Sequence, residues 1–228
     1  MRRRAVLFDV GGPIDLETRF EWAMDAALRG IAEELGGAPI DDAAYAGAVR
    51  AAVASFAPNA YRAILHALLG PRAAEGWALL PARLPPRPAL ELRPGIAALL
   101  HGLARRGLLL GIAANQPAET IACLAQVGIA DAFAATDVSA TIGLRKPDPR
   151  LFLHVCDRLG VAPQDCVMVG DRIDNDIAPS RALGMAAIRI RTGRHAGQMP
   201  RDWAEAPDAE VSDTVGLAAA LDRLLGPD

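Results

Sequence analysis

Five polar side chains follow predicted strands or loops and could together carry out phosphoryl chemistry. Asp9 ends the first apolar run of the chain, Asn115 ends a later one, Lys146 lies in a loop, and Asp171 and Asp176 follow a further apolar run. Carboxylate oxygens are the ligands that Mg²⁺ prefers, and a lysine ammonium supplies a compact positive charge for a phosphate. In open α/β sheets the ligand crevice lies beyond the carboxyl ends of the strands, so we expect these side chains to meet in one site.

Three of these residues also have a simpler interpretation. Asp9 stands just before a Gly-Gly-Pro turn, and an aspartate in that position often only caps the turn. Lys146 and Asp171 could form an ordinary surface ion pair. Strand ends that carry polar groups in four separate places favour the shared site over these alternatives.

The elements that must position these groups alternate between strand and helix from Arg93 onward. Strands of this kind, separated by helices, build right-handed crossovers and a parallel sheet that is covered on both faces. The sequence therefore predicts an α/β fold with a doubly wound, Rossmann-like parallel sheet core and an inserted all-helical cap domain. The predicted strands are Ala5 to Val10, Leu108 to Ala113, Phe133 to Thr136, Cys166 to Val169 and Ala186 to Ile190, with an edge strand near Val211. A helix is predicted from about Asp174 to Leu183, where Gly184 stops it.

The predicted cap domain covers residues 15–89, and the core domain covers residues 1–14 and 90–228. Apolar residues at helical spacing predict a helix from Thr18 to Leu35 that stops at two glycines. Asp41 or Asp42 can cap a second helix, Asn59 a third, and Pro71 can begin a fourth that fades into a proline-rich linker. No strand pattern occurs in this region.

The composition narrows the classes of partner. The 228 residues include 24 Lys plus Arg and 27 Asp plus Glu, for a net charge of -3, so no basic surface predicts binding to nucleic acid or to an anionic membrane. No secretory or transmembrane segment is predicted, and three widely spaced cysteines predict buried free thiols in a reducing cytoplasm. We expect a small soluble ligand, and the sequence does not predict the oligomeric state.

Four motifs resemble those of the haloacid dehalogenase (HAD) superfamily and occur in the same order. They are Val6 to Pro13, Leu108 to Asn115, Lys146-Pro147-Asp148-Pro149, and Val169 to Asp176. The third and fourth motifs are highly specific in combination. The helical insertion after the first motif is similar to a cap of the C1 type, which in that family closes over the site and selects the substrate.

The resemblance implies a role for each of these positions in a phosphatase of a small phosphorylated metabolite. Asp9 would be the nucleophile that forms an aspartyl phosphate, and Lys146 would stabilise the transferring charge. The implied Mg²⁺ ligands are Asp9, the backbone carbonyl of Gly11, Asp171 and Asp176. The implied substrate-binding positions are Gly12, Ala114, Asn115 and Lys146.

Three positions depart from the family pattern. Gly11 stands where most HAD phosphatases have a second Asp as general acid and base, Pro13 replaces a usual threonine, and Ala114 replaces a usual Ser or Thr. Losing a general acid costs about two to four powers of ten in rate for a poor leaving group. The hydroxyl that is missing at Ala114 would donate a hydrogen bond to a charged group, and such a bond contributes roughly 1.5 to 3 kcal/mol. Asp15 or Glu17 could act as a surrogate acid, although Glu17 could simply favour the first turn of its helix.

Two other functions follow from these departures. Dehalogenases of the family also lack the second Asp, but their fourth motif resembles a metal-free pattern that begins with serines, whereas Gly170 and Asp171 resemble the Mg²⁺ version. A catalytically impaired HAD fold that binds a metabolite or a protein is the second alternative. The sequence favours the phosphatase.

Overall fold

The computed structural model describes residues 3–226 of the chain. Its strands are β1 (Ala5–Phe8), β2 (Leu109–Ile112), β3 (Cys166–Gly170), β4 (Ala186–Ile190) and β5 (Ala209–Val211). Its α-helices are α1 (Thr18–Gly36), α2 (Asp42–Ala54), α3 (Ala60–Leu69), α4 (Ala73–Arg83), α5 (Ile96–Arg105), α6 (Glu119–Gln126), α7 (Ser139–Ile142), α8 (Pro149–Leu159), α9 (Ala178–Ala182) and α10 (Thr214–Leu225). No described helix has the length and apolar character needed to cross a membrane.

Two compact units make up the described chain. The first comprises the residues up to Leu16, Leu90–Ala196 and the residues from Pro200 onward, and the second comprises Glu17–Ala89 with Gly197–Met199. The assignment of residues 15–89 as a cap domain and of residues 1–14 and 90–228 as a core domain stays a prediction.

The first unit is built on a parallel sheet in the order β2-β1-β3-β4-β5. Side chains alternate across each strand, so Val6 and Phe8 of β1 join one apolar cluster while Ala5 and Leu7 join another. Helices α5 and α10 supply the first cluster, and α8 supplies the second. Both faces of the sheet are therefore covered by helices, which explains why β1 and β3 are apolar along their whole length.

The second unit contains helices α1 to α4, and two of them, α2 and α3, begin at capping side chains. The carboxylate of Asp41 accepts a hydrogen bond from the backbone N–H of Ala44 at 2.7 Å, and Asn59 accepts one from Arg62 at 3.1 Å. Leu28, Ile64 and other buried apolar side chains of this unit form its own core. Pro81 lies inside α4, and the helix ends two residues later at Arg83, within the predicted proline-rich linker.

Two predicted elements of the first unit differ from the structure. Only Ala135 of the predicted strand from Phe133 to Thr136 forms a bridge, which pairs with Gly111. The chain then leaves the sheet edge and enters α7, so no ladder extends. The helix predicted from Asp174 to Leu183 begins instead as a π-helix at Ile173–Ile177 and continues as α9.

The cysteines are free thiols, but they are less separate than their spacing in the sequence predicts. Cys156 and Cys166 are buried with their sulfur atoms 3.7 Å apart, whereas Cys123 is only partly buried. The pair belongs to the apolar cluster beneath α8.

Candidate active site

The carboxylate of Asp9 lies immediately beyond the end of β1, at the carboxyl edge of the sheet. Its backbone N–H continues the ladder by donating to the carbonyl of Val169 at 2.9 Å. The backbone N–H of Val10 donates to Asp9 Oδ1 at 2.8 Å, which fixes the orientation of the side chain. Asp9 is only 9% exposed, so the sheet delivers a nearly buried carboxylate to one defined place.

Lys146 lies between two carboxylates. Its Nζ is 2.9 Å from Asp9 Oδ2 and 2.6 Å from Asp176 Oδ1. Asn115 holds the backbone of Lys146 from both sides, because its Nδ2 donates to the Lys146 carbonyl at 2.9 Å and its Oδ1 accepts from the Lys146 N–H at 2.8 Å. Lys146 is the only lysine of the chain, in which every other Lys or Arg position is arginine.

This arrangement shifts the pKa of both Asp9 and Lys146 upward. Burial raises the pKa of Asp9 to about 6, and the charge of Asp176 adds to this effect while Lys146 opposes it. Burial alone would lower the pKa of Lys146, but the charges of Asp176 and Asp9 outweigh burial and raise it. The lysine is therefore held as a cation between the two acids.

A π-helical turn brings Asp176 to Lys146. The N–H groups of Asp176 and Ile177 both donate to the carbonyl of Arg172, at 3.0 and 3.2 Å, which widens the turn. Asp176 Oδ2 then accepts the N–H of Arg172 at 3.0 Å, and Asp176 is fully buried. The space for its side chain exists because residue 170 is glycine: a Cβ at Gly170 would lie 2.3 Å from the Cβ of Asp176.

We expect Gly170→Ala to displace Asp176 and to lower the free energy of unfolding by about 1–3 kcal/mol, as overpacking of a buried position does. Urea denaturation would measure this change. Gly102→Ala is a matched control, because the nearest atom to its added Cβ would be a flexible Arg105 nitrogen 3.9 Å away. That control should be neutral or stabilising by about 0.4–1 kcal/mol. Equal stability of the two variants would contradict the close packing at Gly170.

Asp171 is positioned by the loop that follows β1 and by two arginines whose role the sequence did not predict. Gly12 has φ +83, and a Cβ there would lie 2.9 Å from the Cβ of Asp171, so only glycine allows the loop this close. Arg93 donates from Nε and Nη2 to the carbonyl of Gly12 at 3.0 and 2.7 Å. Arg189 is fully buried and donates from Nε to the carbonyl of Asp171 at 3.2 Å.

Asp9, Asp171 and Asp176 form a cluster that can hold a metal ion, with one oxygen from each within 4.8 Å of the others. The donor set consists of oxygen atoms only, which fits a hard cation such as Mg²⁺. Lys146 neutralises one of the three carboxylates, so the cluster keeps a negative surplus. These residues therefore fit the divalent ion that the sequence predicts.

Of the remaining predicted positions, Ala114 and Asp15 belong to the first compact unit and Glu17 belongs to the second. Ala114 follows β2, is fully buried, and accepts the N–H of Ser139 at 3.0 Å. Asp15 does not point its carboxylate freely into the site, because Asp15 Oδ1 accepts the N–H of Glu91 at 2.8 Å. Glu17 precedes α1 with a positive φ and lies 3.7 Å from Arg87.

A family model described as haloacid dehalogenase-like hydrolase matches residues 3–184, which include all four motifs. The chain belongs to the haloacid dehalogenase-like hydrolase family. Membership confirms the predicted family and the predicted enzyme class, a hydrolase.

Curated relatives of this HAD-like hydrolase have names that end in phosphatase. Glyceraldehyde 3-phosphate phosphatase of Methanopyrus kandleri is 34% identical over 123 residues, which are 54% of this chain and 53% of that protein. Phosphoserine phosphatase of Thermus thermophilus is 36% identical over 133 residues, which are 57% of this chain and 52% of that protein. The chain spans about half the length of the curated relatives it matches.

Solved structures match the HAD-like hydrolase along nearly its whole length. A HAD phosphatase from Thermococcus onnurineus has a TM-score of 0.63 at 23% identity and covers 98% of both chains. A 2-haloacid dehalogenase from Pseudomonas syringae pv. Tomato has a TM-score of 0.60 at 25% identity, with 97% of this chain and 99% of that one covered. The likeness confirms the predicted fold class. The matching structures include both a phosphatase and a dehalogenase.

Proposed function

We propose that this HAD-like hydrolase is a Mg²⁺-dependent phosphatase that acts on a small phosphorylated metabolite through an aspartyl phosphate on Asp9. One observation carries the proposal: Lys146 lies 2.9 Å from Asp9 in a site where Asp9, Asp171 and Asp176 can share one cation. The names of the curated relatives support the reaction class. They include phosphatases of glyceraldehyde 3-phosphate, phosphoserine and phosphoglycolate, which are all small phosphomonoesters.

Asp9 supplies the attacking oxygen in this proposal. Val10 holds Asp9 Oδ1 through its N–H, and Lys146 holds Asp9 Oδ2, so the carboxylate is oriented before substrate binds. The ammonium of Lys146 also compensates the negative charge of the phosphoryl group during transfer. Asn115 acts mainly on Lys146, because both of its polar atoms bind the Lys146 backbone.

The residues that would hold Mg²⁺ are Asp9, Asp171, Asp176 and the backbone carbonyl of Gly11. The ion would neutralise phosphate oxygens and orient the transferring group. Arg93 supports this assignment indirectly, since it binds the neighbouring carbonyl of Gly12 and so fixes the loop that carries Gly11. The predicted substrate positions Gly12, Ala114 and Asn115 remain part of the proposal.

Phosphate release from a panel of small phosphomonoesters tests the proposal. We expect activity with Mg²⁺ and loss of activity when a chelator removes the ion, with recovery on adding Mg²⁺ back. The panel should include the three phosphomonoesters named above, and a parallel assay should measure halide release from 2-haloacids without metal. Halide release alone would favour the dehalogenase alternative. No turnover in either assay, together with no phosphate release from acetyl phosphate, would favour the binding protein, because Gly11 and Ala114 lack the usual polar groups.

A further inference from the structure

The turn that follows Asp9 contains no group that can give a proton to a leaving group. Gly11, Gly12 and Pro13 have no ionisable side chain. The next acid along the chain, Asp15, is 6% exposed and serves the backbone: its Oδ1 accepts the N–H of Glu91, and its carbonyl accepts the N–H of Gly12 at 2.7 Å. Asp15 therefore anchors the turn.

The other acids of the site also have assigned contacts or roles. Asp176 binds Lys146 through one oxygen and the N–H of Arg172 through the other. Asp171 belongs to the cluster that fits a metal ion, and a carboxylate must be deprotonated to bind a metal. Asp9 is the nucleophile. Among the described residues that form this site in the first compact unit, each carboxylate is thus assigned to a cation or to the backbone.

The leaving group decides how much this matters. An alkoxide released from a sugar or glycerol ester is a strong base and needs a proton as the P–O bond breaks. A carboxylate, whose conjugate acid has a pKa of about 4, leaves as a stable anion, and a phenolate, at about 10, is intermediate. We infer that this enzyme prefers acyl phosphates, which are mixed anhydrides of a carboxylic acid and phosphoric acid, over alkyl phosphomonoesters. The inference rests on the proposed phosphatase function.

The reaction balances without a protein acid. An Asp9 oxygen forms a bond to phosphorus while the bond from phosphorus to the acyl oxygen breaks, and the bonding electron pair leaves with the carboxylate. One water then attacks the phosphorus of the aspartyl phosphate, the bond to the Asp9 oxygen breaks, and Asp9 recovers its electron pair as a carboxylate. Both hydrogens of the water leave on the dihydrogen phosphate, which gives up a proton to solvent.

The test is a comparison of kcat/KM across phosphoryl donors whose leaving groups differ in basicity: acetyl phosphate, 4-nitrophenyl phosphate, phenyl phosphate and glycerol 3-phosphate, all with Mg²⁺. For the native enzyme we expect a steep fall along this series. In Gly11→Asp the ratio of kcat/KM for acetyl phosphate to that for glycerol 3-phosphate should drop by about 100-fold or more, because a general acid contributes about 10²–10⁴ where the leaving group is poor.

Gly11→Asn is the matched control, since it adds nearly the same volume without an acid, and it should keep the steep dependence. Equal kcat/KM for native enzyme across the series would overturn the inference while leaving the phosphatase function intact. Absence of phosphate release from every donor, acetyl phosphate included, would overturn the phosphatase function itself. If neither variant folds, the slope of the native enzyme alone decides.

Discussion

Asp9→Asn should abolish phosphate release. The amide keeps the shape of the carboxylate but cannot form the aspartyl phosphate. We therefore expect kcat/KM to fall by at least about four orders of magnitude, as when other enzymes lose a nucleophile. Colorimetric detection of phosphate with saturating Mg²⁺ would measure the loss. Asp157→Asn, an exposed position on α8, is the control and should retain native activity.

The same variant should remain folded, which separates lost chemistry from lost structure. Burial raises the pKa of Asp9 to about 6 in the folded protein, against 3.8 ordinarily. The folded protein therefore favours the protonated form of Asp9. The contribution of this protonated form to the free energy of unfolding is fully present below the unfolded pKa of 3.8 and is lost as the pH rises through about 6. In the presence of chelator, Asp9→Asn should be at least as stable as the native protein at pH 7.5. A lower urea midpoint at that pH would contradict this expectation.

Lys146→Met should have the largest effect on stability. The change removes the cation that Asp9 and Asp176 share, and leaves two buried carboxylates facing each other. Removing one partner from a buried ion pair costs about 3–5 kcal/mol, and we expect a loss of this size in urea denaturation at pH 7.5 with chelator present. Phosphate release should also fall, because the charge that faces the phosphoryl group is gone.

The control for Lys146→Met is Arg158→Met, which removes a surface ion pair in which Arg158 Nε lies 3.2 Å from Asp137 Oδ2. Such surface pairs contribute about 0–1 kcal/mol, so the control should change little. Lowering the pH should reduce the loss in Lys146→Met, since one of the two acids can then take up a proton. A native urea midpoint in Lys146→Met would show that the two carboxylates do not depend on the lysine.

Much of the sheet was predictable because its central strands are short apolar runs that end on polar residues. The helix starts at Asp42, Ala60 and Pro149 were predictable from side chains that satisfy free N–H groups at Asp41, Asn59 and Asp148. The predicted strand from Phe133 to Thr136 was wrong because β-propensity does not reveal where a chain leaves a sheet edge. Only the pairing of Ala135 with Gly111 survives there.

The parts of the site that the sequence did not predict depend on backbone geometry. Periodicity places an ordinary helix over Asp174 to Leu183, whereas the two bonds to the Arg172 carbonyl create the π-turn that aims Asp176 at Lys146. Arg189 gave a signal, as a charge inside the apolar strand β4, but no pattern in the sequence identifies the Asp171 carbonyl as one of its partners. Arg93 likewise binds a backbone carbonyl, that of Gly12, and no recognisable motif predicts this contact.

The single lysine makes the site selectively observable in solution. Protein grown on ¹⁵N-lysine in an otherwise unlabelled medium would carry the isotope at Lys146 alone. Its backbone amide contacts Asn115 and its ammonium contacts Asp9 and Asp176, so the amide and ammonium resonances both come from this one residue. Titrations with a divalent ion, inorganic phosphate or a candidate metabolite could then be followed by magnetic resonance without assigning the rest of the spectrum.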